Sequence, residues 1–323
     1  MTRVFVTGGA GFIGSHICDS LLESGCEVVC IDNLITGSME NILHLLQSDS
    51  FTFVEGDIRD FETCNTHISG CSFVCHQAAL GSVPRSVEDP VNTNSHNVSG
   101  TLNVFNAARN NGIRRVVFAS SSSCYGDEKT LPKVEDTIGT PLSPYAVSKR
   151  VSEMYSRVFY ELYDMEMIGL RYFNVFGPRQ NPEGMYAAVI PKFAKSLMQG
   201  DPPIIFGDGT QSRDFTFVSN VVDANMEALF TNNGDSYNRI YNIACGGRIS
   251  INELLSKLTE LLSQKDSSIS NISPVFEDSR PGDVLHSHAD ISLAQEFLNY
   301  DPAISVMEGL ALTVDNYWEL FNH

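Results

Sequence analysis

Hydrophobic residues in the first half of the chain form short, nearly continuous runs, separated by longer amphipathic stretches. The runs are rich in Val, Ile and Phe, which is typical of parallel strands covered on both faces. They predict strands at Arg3–Thr7, Glu27–Asp32, Phe51–Glu55, Ser72–Gln77, Arg115–Ser120 and Met167–Phe173. The stretches between them, such as Gly14–Ser24 and Asn97–Asn110, predict helices. This alternation predicts an α/β fold with a doubly wound, Rossmann-type parallel sheet.

The pattern changes after Asn174, where the regular alternation stops. Residues 176–185 read FGPRQNPEGM and are dense in Gly, Pro and Asn, so they predict a loop. We therefore expect a Rossmann domain over residues 1–174 and a smaller mixed α/β substrate domain over 175–323, from which part of the chain can return to the first. A ligand that contacts both would lie at the carboxyl ends of the strands.

The composition is ordinary for a globular protein, but the net charge is not. The 323 residues are 42% hydrophobic, and 39 acidic residues against 21 basic ones give a formal charge of −18. Nucleic acids and anionic membranes require a basic face, so neither is an expected partner. No apolar run approaches the roughly 18 residues of a membrane span. The chain opens directly on a strand without a signal peptide, so we expect a cytoplasmic protein.

The distribution of the cysteines is typical of a protein from a reducing compartment such as the cytoplasm. None forms a CxxC pair, and most lie in apolar runs, so we expect buried free thiols and no metal site. The eight positions are 18, 26, 30, 64, 71, 75, 124 and 245.

A glycine-rich turn directly follows the first strand. Gly8, Gly11 and Gly14 form a GxxGxxG pattern between that strand and a helix. Such glycines allow a tight turn, close approach of a pyrophosphate and close helix–sheet packing, while the helix N-terminus directs N–H groups at the phosphates. The pattern predicts a dinucleotide site that includes the neighbouring Phe12 and Ile13.

An acidic residue ends the second strand. Asp32 can accept a hydrogen bond from a ribose 2′-hydroxyl and repel a 2′-phosphate; its alternative role is that of a turn residue before Asn33. No Arg or Lys follows before Arg59, so NAD is favoured over NADP. Asp57 and Ile58, after the third strand, are expected beside the adenine.

Tyr145 and Lys149 form a YxxxK pattern after the fifth strand. Residues four apart share one helix face, so the Lys149 ammonium can lie near the phenol and reach the nicotinamide ribose. A nearby positive charge lowers a tyrosine pKa from about 10, which makes Tyr145 a candidate general base. By itself the pattern arises often by chance and is usually a surface pair, so its value as evidence comes from its position.

Four serines close the fifth strand, immediately before Cys124-Tyr125-Gly126. Ser120 to Ser123 are poor core material, and at this end of the strand their hydroxyls could bond a reacting alcohol. The alternative interpretation is a polar loop.

The motifs together resemble the nucleotide-sugar 4-epimerases of the extended short-chain dehydrogenase/reductase family, over essentially the whole chain. In family order they are TGGAGFIGS, the aspartate after strand two, the serine cluster, YAVSK, LRYFNVFGPRQ, SRDF and RPGD. The resemblance implies tightly bound NAD, a UDP-sugar substrate, and a homodimer in which helices such as 97–110 and the one carrying Tyr145 form a four-helix bundle. It also implies cofactor contacts at Gln77, Ala78, Ala79, Asn97 and Tyr172.

The resemblance further implies a mechanism. Tyr145 takes the proton of the sugar 4-hydroxyl while hydride passes from C4 to NAD, and Lys149 holds the phenolate and the ribose. The 4-keto sugar then rotates, and hydride returns to its opposite face. The family's catalytic serine falls at Ser121, with Ser123 as the neighbouring hydroxyl, although the run of four serines leaves the register open.

Ser122 and Ser123 also separate this chain from related activities. Sugar dehydratases resemble it but carry an Asp-Glu pair at these positions, and decarboxylases usually keep the Glu. Neither serine hydroxyl is a useful acid near neutral pH, so elimination and decarboxylation are disfavoured.

On the substrate side, the resemblance implies that Arg213 and Arg280 clamp the UDP diphosphate, which suits the planar guanidinium fork. Each arginine could instead form a surface ion pair, with Asp214 or Asp278. Asn174 matches an asparagine that contacts the substrate phosphate and sugar. The segment expected to line the uridine and hexose is 188–192, including Val189 and Lys192.

The identity of the sugar rests on Ser287. A small residue there leaves room for an N-acetyl group, whereas enzymes restricted to UDP-glucose commonly have Tyr. Gly81 and Ser82 resemble the subgroup that prefers N-acetylhexosamines and are expected, with Ser122, beside the hexose. Leu285 replaces a basic residue of that subgroup, which weakens the case for an acidic sugar.

The prediction is therefore reversible epimerisation of UDP-N-acetylglucosamine at C4. The alternatives are a UDP-N-acetylglucosaminuronate or UDP-glucose 4-epimerase, and less favoured ones are a UDP-sugar decarboxylase or dehydratase, a dehydrogenase that releases NADH, and an inactive nucleotide-binding regulator.

Overall fold

A seven-stranded parallel sheet forms the centre of the computed structural model, which describes residues 1–182, 188–278 and 285–321. Its strands are β1 (Arg3–Thr7), β2 (Glu27–Asp32), β3 (Phe51–Glu55), β4 (Phe73–His76), β5 (Arg115–Ser121), β6 (Glu166–Tyr172) and β11 (Arg239–Ile243). They lie in the order β11-β6-β5-β4-β1-β2-β3. All six predicted strands are present, with ends that move by at most one residue, and the predicted Rossmann-type fold is confirmed.

Six shorter strands form three two-stranded sheets outside the central one. They are β7 (Val175–Phe176), β8 (Ile204–Phe206), β9 (Ser212–Arg213), β10 (Thr216–Phe217), β12 (Ile249–Ser250) and β13 (Val275–Glu277). The helices are α1 (Phe12–Glu23), α2 (Phe61–His67), α3 (Val83–Glu88), α4 (Pro90–Asn94), α5 (Thr101–Asn110), α6 (Pro144–Tyr163), α7 (Val189–Gln199), α8 (Val218–Phe230), α9 (Ile251–Ser263), α10 (Ser292–Leu298) and α11 (Val306–Phe321).

The helix predicted over 97–110 differs in the structure. A π-helical turn, Ser95–Gly100, joins α4 to α5, so the helical segment begins earlier and is wider in its middle. Hydrophobic spacing follows the average period of a helix and does not reveal one inserted turn.

The chain returns to the sheet after residue 174. Helix α8 packs against α1, and β11 pairs in parallel with β6, from Arg239 opposite Ile168 to Ile243 opposite Tyr172. Tyr241 and Ile243 are buried against the central sheet, and this burial explains why β11 joins that sheet. The division at residue 174 remains a prediction, with α8 and β11 as the parts that return.

Two apolar cores pack on the central sheet, and a further one lies outside it. It joins β8, α7, α9 and α11 through buried side chains, including those of Phe193, Leu197, Ile205, Leu254 and Leu258. This core holds α7 against the carboxyl edge of the sheet, where the second cavity described below opens.

Three general properties follow from the described residues. In ranges 1–182, 188–278 and 285–321, no helix combines the length and apolarity that crossing a membrane requires. The same ranges contain no group of three or more His, Cys, Asp or Glu side chains arranged to hold a metal ion. Seven cysteines are buried, Cys245 is half-buried, and none forms a disulfide.

Candidate active site

A cavity of about 750 Å³ opens at the carboxyl ends of β1 to β6. Most of the predicted cofactor residues line it, together with three of the predicted substrate residues, one of which (Tyr145) was predicted for both. The predicted residues among its walls are Gly8, Gly11, Phe12, Ile13, Gly14, Asp32, Asn33, Ile58, Gln77, Ala78, Ala79, Gly81, Ser82, Tyr145, Lys149 and Tyr172. The fold therefore brings together residues that are far apart along the chain.

The glycine loop between β1 and α1 tolerates no side chain at two positions. Gly8 has φ +70°, and a Cβ there would lie 2.7 Å from Ala78 Cα. A Cβ on Gly14 would lie 2.1 Å from the carbonyl oxygen of Gly8. The N-terminus of α1, with its unpaired backbone N–H groups, lies next to this glycine backbone. Together they form a cradle for a pyrophosphate, because no side chain blocks the approach of the phosphates to the N–H groups. The loop fits a dinucleotide cofactor.

Asp32 stands beside this cradle at the end of β2. Its two carboxylate oxygens accept hydrogen bonds from the backbone N–H groups of Ala10 (3.0 Å) and Leu34 (2.8 Å). Burial raises the pKa of Asp32, and these two bonds oppose that rise. Each oxygen has a second lone pair, so the turn role and the ribose role are compatible.

Asp57 does not line the cavity. It accepts hydrogen bonds from the Arg59 side chain (2.7 and 3.0 Å) and from Asn33 Nδ2 (2.8 Å). Burial would raise the pKa of Asp57, but the bonds from Arg59 outweigh it and hold the pKa well below its usual value. The carboxylate is thus engaged within the protein, and its neighbours Gly56 and Ile58 reach the cavity wall instead.

Asn97 is also directed into the protein. Its Oδ1 accepts from Leu80 N (2.7 Å), and its Nδ2 donates to Leu80 O (3.1 Å) and to Ser148 Oγ (3.1 Å) on α6. Asn97 therefore ties the segment after β4 to the helix that carries Tyr145.

The start of α6 presents the tyrosine and the lysine. Ser143 caps the helix by accepting from Ala146 N (3.1 Å), and Tyr145 and Lys149 follow one turn apart. Lys149 Nζ donates to Ala119 O at 2.8 Å and lies 6.0 Å from the centre of the Tyr145 ring. The lysine is thus fixed between β5 and the tyrosine.

The pKa of Tyr145 differs from the expectation drawn from the sequence. The Tyr145 ring borders the cavity, but burial of its hydroxyl raises the pKa to about 12, against the effect of a hydrogen bond with Ser121. Burial also lowers the pKa of Lys149 to about 8. The expected lowering of the Tyr145 pKa is not found in the protein chain alone, because desolvation dominates. A bound, oxidised nicotinamide is cationic and would supply positive charge near the phenol.

The structure separates the four serines. Ser120 Oγ donates to Glu153 Oε1 at 2.6 Å and is buried. Ser121 shares a hydrogen bond with Tyr145, and Ser123 Oγ donates to Ser121 Oγ at 2.9 Å. Residues 121–123 are half-buried and line neither cavity directly. Their catalytic roles remain predictions, although the bond to Tyr145 favours Ser121.

A buried ion pair lies below these groups and was missed by the sequence reasoning. Arg171 donates to both carboxylate oxygens of Glu153, at 2.8 and 2.9 Å. Glu153 also accepts from Ser120, so one carboxylate joins α6, β5 and β6. The signal was the position of Glu153, one turn beyond Lys149 on the same helix face.

A second cavity of about 630 Å³ lies beside α7. Four predicted substrate residues line it: Asn174, Val189, Lys192 and Arg213. Gln180 and Ala188 line both cavities, so the two adjoin there. A ligand that enters the second cavity can therefore reach the first.

Backbone contacts fix the polar wall of this cavity. Asn174 Nδ2 donates to Asp214 O (2.9 Å), and Arg213 donates to Ser212 O (3.0 Å) and Leu285 O (3.2 Å). Ser287 N donates to Ser212 O (3.0 Å), but Ser287 lines neither cavity. The predicted partner of Arg213, Arg280, lies outside the described residues.

Three of the polar lining residues that sequence reasoning missed are Gln180, Lys195 and His96. Gln180 has a buried Oε1 that makes no hydrogen bond within the described residues, and it stands where the cavities meet. Lys195 lines the second cavity three residues after Lys192, a spacing that could have revealed it. His96 lines the first cavity, and no sequence signal marked it.

The sheet, the glycine cradle, Asp32 and the Tyr145–Lys149 pair define a dinucleotide-dependent enzyme of the short-chain dehydrogenase/reductase type. The sequence model of the NAD dependent epimerase/dehydratase family matches residues 4–244. The chain belongs to this family, and its cofactor is NAD.

Proteins similar to this chain align with it over nearly its full length. A putative UDP-glucose 4-epimerase from Methanocaldococcus jannaschii is 40% identical, with 97% of each chain covered. A UDP-N-acetylglucosamine 4-epimerase from Methanobrevibacter ruminantium, solved with UDP-N-acetylmuramic acid, is 39% identical with a TM-score of 0.92 and 99% of each chain covered. A UDP-glucuronic acid 4-epimerase from Bacillus cereus, solved with UDP-glucuronic acid and NAD, is 32% identical with a TM-score of 0.90, covering 99% of this chain and 100% of that one.

Proposed function

We propose that this protein is an NAD-dependent UDP-sugar 4-epimerase that interconverts UDP-N-acetylglucosamine and UDP-N-acetylgalactosamine. One observation carries the reaction type. Among the described residues that line the two cavities, Asp32 is the only carboxylate, and it lies at the end of β2 beside the glycine cradle. A Tyr145–Ser121 pair without an acid beside it can move one proton but offers no group to drive elimination of water.

The protein's own groups divide the proton chemistry. Tyr145 accepts the proton of the sugar 4-hydroxyl and returns it after the sugar has turned. Ser121, bonded to Tyr145, holds the phenol in place and offers a hydroxyl to the reacting oxygen. Lys149 supports the charge of the phenolate from its position on Ala119 O. Bound NAD supplies the acceptor and donor of hydride at C4.

The second cavity suits the UDP portion. Lys192, Lys195 and Arg213 place three cationic side chains in its walls. Phosphate oxygens accept charge-assisted hydrogen bonds from such groups, and a guanidinium can donate two at once. We assign the diphosphate to this wall, and the hexose to the junction at Gln180, where it reaches Tyr145.

Small residues and free space in the first cavity support the assignment of an N-acetylated sugar. A Cβ built on Gly81 has no atom within 4 Å, and Ser82 next to it lines the same cavity. Ser287 lies beside Ser212 but lines neither cavity, so the support here comes from Gly81 and Ser82. The Methanobrevibacter ruminantium relative is a UDP-N-acetylglucosamine 4-epimerase, which agrees with this choice.

A substrate panel tests the proposal. Purified protein is incubated with UDP-N-acetylglucosamine, UDP-glucose and UDP-N-acetylglucosaminuronate without added reductant, and products are followed by NMR. We expect the 4-epimer of UDP-N-acetylglucosamine to form fastest. Turnover of UDP-glucose alone would refute the sugar assignment, whereas carbon dioxide or an unsaturated keto sugar would refute the reaction type.

Tyr145→Phe tests the mechanism. General base catalysis contributes about 10²- to 10⁴-fold, so we expect kcat to fall by that factor. Tyr160→Phe, on an exposed face of the same helix, is the matched control and should retain full activity. Normal turnover by Tyr145→Phe would contradict the assigned base.

A UDP-uronate 4-epimerase is the second candidate. The three cations of the second cavity could receive a sugar carboxylate as well as a diphosphate. The Bacillus cereus relative is a UDP-glucuronic acid 4-epimerase. Faster turnover of the uronate in the same panel would favour this candidate.

We also propose a homodimer that acts in the cytoplasm. Val147, Met154, Val158 and Leu162 form an exposed apolar stripe along α6, at the spacing of one helix face. A second copy of the same stripe would cover it, and the free cysteines suit a reducing compartment. Light scattering should show a dimer that Met154→Lys splits, while Leu43→Lys, an exposed apolar position on another element, leaves it intact. Cell fractionation tests the location.

A further inference from the structure

Asp214 is a buried carboxylate in the turn between β9 and β10. The residue is 0% exposed, which does not fit the alternative of a surface ion pair with Arg213. Its Oδ1 accepts a hydrogen bond from Cys245 N, and its Oδ2 accepts one from Ala289 N, each at 3.2 Å. Burial raises the pKa of Asp214 to about 6, and the bond from Ala289 opposes that rise. The carboxylate is therefore kept inside the protein at a cost that its backbone partners offset only in part.

The two backbone partners of this carboxylate belong to distant segments. Cys245 follows β11 of the central sheet, and Ala289 lies shortly before α10. Each segment binds a different oxygen of Asp214. One side chain therefore joins the β9–β10 turn both to the sheet and to the C-terminal part of the chain.

The segment that ends at Ala289 begins beside Arg213. Ser212 N donates to Leu285 O at 3.0 Å, and Arg213 Nη1 donates to the same oxygen at 3.2 Å. Asp214 holds the other end of this segment through Ala289 N. The Arg213 guanidinium is thus oriented by a carbonyl whose own position depends on Asp214.

Asn174, another wall residue of the second cavity, is held by the same turn. Its Nδ2 donates to Asp214 O at 2.9 Å, and Thr216 N donates to Asn174 O at 3.3 Å. Asn174 has φ +35°, a backbone conformation that a residue other than glycine keeps only where its surroundings fix it. The position of the β9–β10 turn therefore sets the direction of both polar wall residues, Asn174 and Arg213.

We propose that Asp214 is a positioning residue, whose carboxylate fixes the β9–β10 turn and segment 285–289 so that Arg213 and Asn174 face the substrate diphosphate. The inference rests on the proposed function in taking the second cavity as the diphosphate site. Asp214 lines neither cavity, so it acts through residues that do. Placement matters because a shift of about 1 Å in a positioned group can cost about 100-fold.

Asp214→Asn tests the proposal at constant side-chain size. An amide has one oxygen, so one of the two backbone N–H groups loses its bond and faces an NH₂ donor. We expect the dissociation constant for UDP-N-acetylglucosamine, measured by calorimetry on the NAD-containing protein, to rise about ten-fold. The affinity for NAD and kcat should stay within about three-fold. Asp208→Asn, an exposed carboxylate on the loop before β9, is the matched control and should keep wild-type affinity.

Two calorimetric results would overturn the proposal. One is a folded Asp214→Asn protein with wild-type affinity for the UDP-sugar. The other is an equal loss of affinity for NAD and for the UDP-sugar, which would show a general structural role. Asp214→Ala, which loses both bonds, should weaken UDP-sugar binding further than Asp214→Asn.

Hydrogen exchange of the wild-type protein supplies a measurement that needs no variant, should Asp214→Asn fail to fold. The amides of Cys245 and Ala289 should both exchange far more slowly than in an open chain, because each is bonded to a buried carboxylate. Open-chain exchange at Ala289 would overturn the proposal. Neither measurement depends on turnover, so a wild-type protein that binds UDP-N-acetylglucosamine without epimerising it would refute the proposed function alone.

Discussion

The two cavities offer different groups to an anionic ligand. The first presents bare backbone at Gly8 and Gly14, where even a methyl group would collide with neighbouring main-chain atoms. The second presents the charged side chains of Lys192, Lys195 and Arg213. Backbone N–H groups are lost only on substitution by proline and need no counter-charge, whereas lysine and arginine side chains can be lost one at a time.

Under the proposed function, this difference explains how a chain with a net charge of −18 holds two anionic ligands. A local group of donors is sufficient, because surface charges more than about 10 Å away are largely screened at ordinary ionic strength. The first cavity achieves this by geometry, and the second by concentrating three of the 21 basic residues in one wall. A single substitution should therefore greatly weaken ligand binding in the first cavity, whereas each substitution in the second should weaken it only in part.

The largest effect is expected for Gly14→Ala. Its Cβ would lie 2.1 Å from Gly8 O, so the loop must shift away from the pyrophosphate position. We expect the NAD dissociation constant to rise by more than about 100-fold, measured by calorimetry. Gly247→Ala, where a Cβ meets open space, is the control. Normal NAD binding by Gly14→Ala would break the contrast between the cavities.

A smaller loss is expected for Arg213→Ala. Hydrogen bonds to charged groups contribute about 1.5–3 kcal/mol, so KM for the UDP-sugar should rise about 10- to 150-fold while NAD affinity stays unchanged. Arg213→Lys should recover part of the loss. Arg157→Ala, which breaks an exposed pair with Glu161, should leave KM unaltered. An equal effect of both alanine variants would show that Arg213 is only a surface charge.

Lys149→Met should separate stability from function. Burial lowers the pKa of Lys149 to about 8, against about 10.4 in the unfolded chain, so the unfolded state binds more protons between these values. The stability of the nucleotide-free protein should therefore rise as pH increases from about 8 to about 10. At pH 7 the charge is buried at a cost, and Lys149→Met should gain about 1–3 kcal/mol in urea unfolding while losing activity.

Two observations would contradict this expectation. One is a Lys149→Met protein that keeps the same rise of stability between pH 8 and 10. The other is an identical gain for Lys257→Met, whose side chain forms an exposed pair with Glu260.

The smallest effect is the response to salt. Raising ionic strength from about 0.05 M to about 0.5 M shortens the screening length several-fold. We expect KM for the UDP-sugar to rise about three-fold and the NAD dissociation constant to change by less than that. A larger change in the NAD dissociation constant than in KM would mean that side-chain charge, and not the backbone cradle, dominates cofactor binding.

Much of the first cavity follows from local patterns in the sequence. Strand runs, the glycine spacing and Asp32 are read over a few residues, and parallel strands bring their carboxyl ends to one edge. The pairing of Tyr145 with Lys149 needs only the period of a helix. These features were predictable because each depends on residues close together in the chain.

Other features depend on contacts between distant segments. Periodicity did not separate β11 as the seventh strand, since its place is set by pairing with β6. Asp57 and Asn97 fit the predicted pattern, yet the fold directs both side chains to protein partners. The buried Tyr145 hydroxyl reversed the expected direction of its pKa, because desolvation depends on everything packed around it.

The sequence by itself determined the sheet, the cradle and the reacting pair, since hydrophobic period and glycine spacing are local constraints. Only the tertiary structure decided which of the four serines meets Tyr145, that Gln180 stands between the cavities, and that His96 Nε2 makes no hydrogen bond within the described residues. Such assignments require the positions of side chains from several elements at once, which no short pattern along the chain specifies.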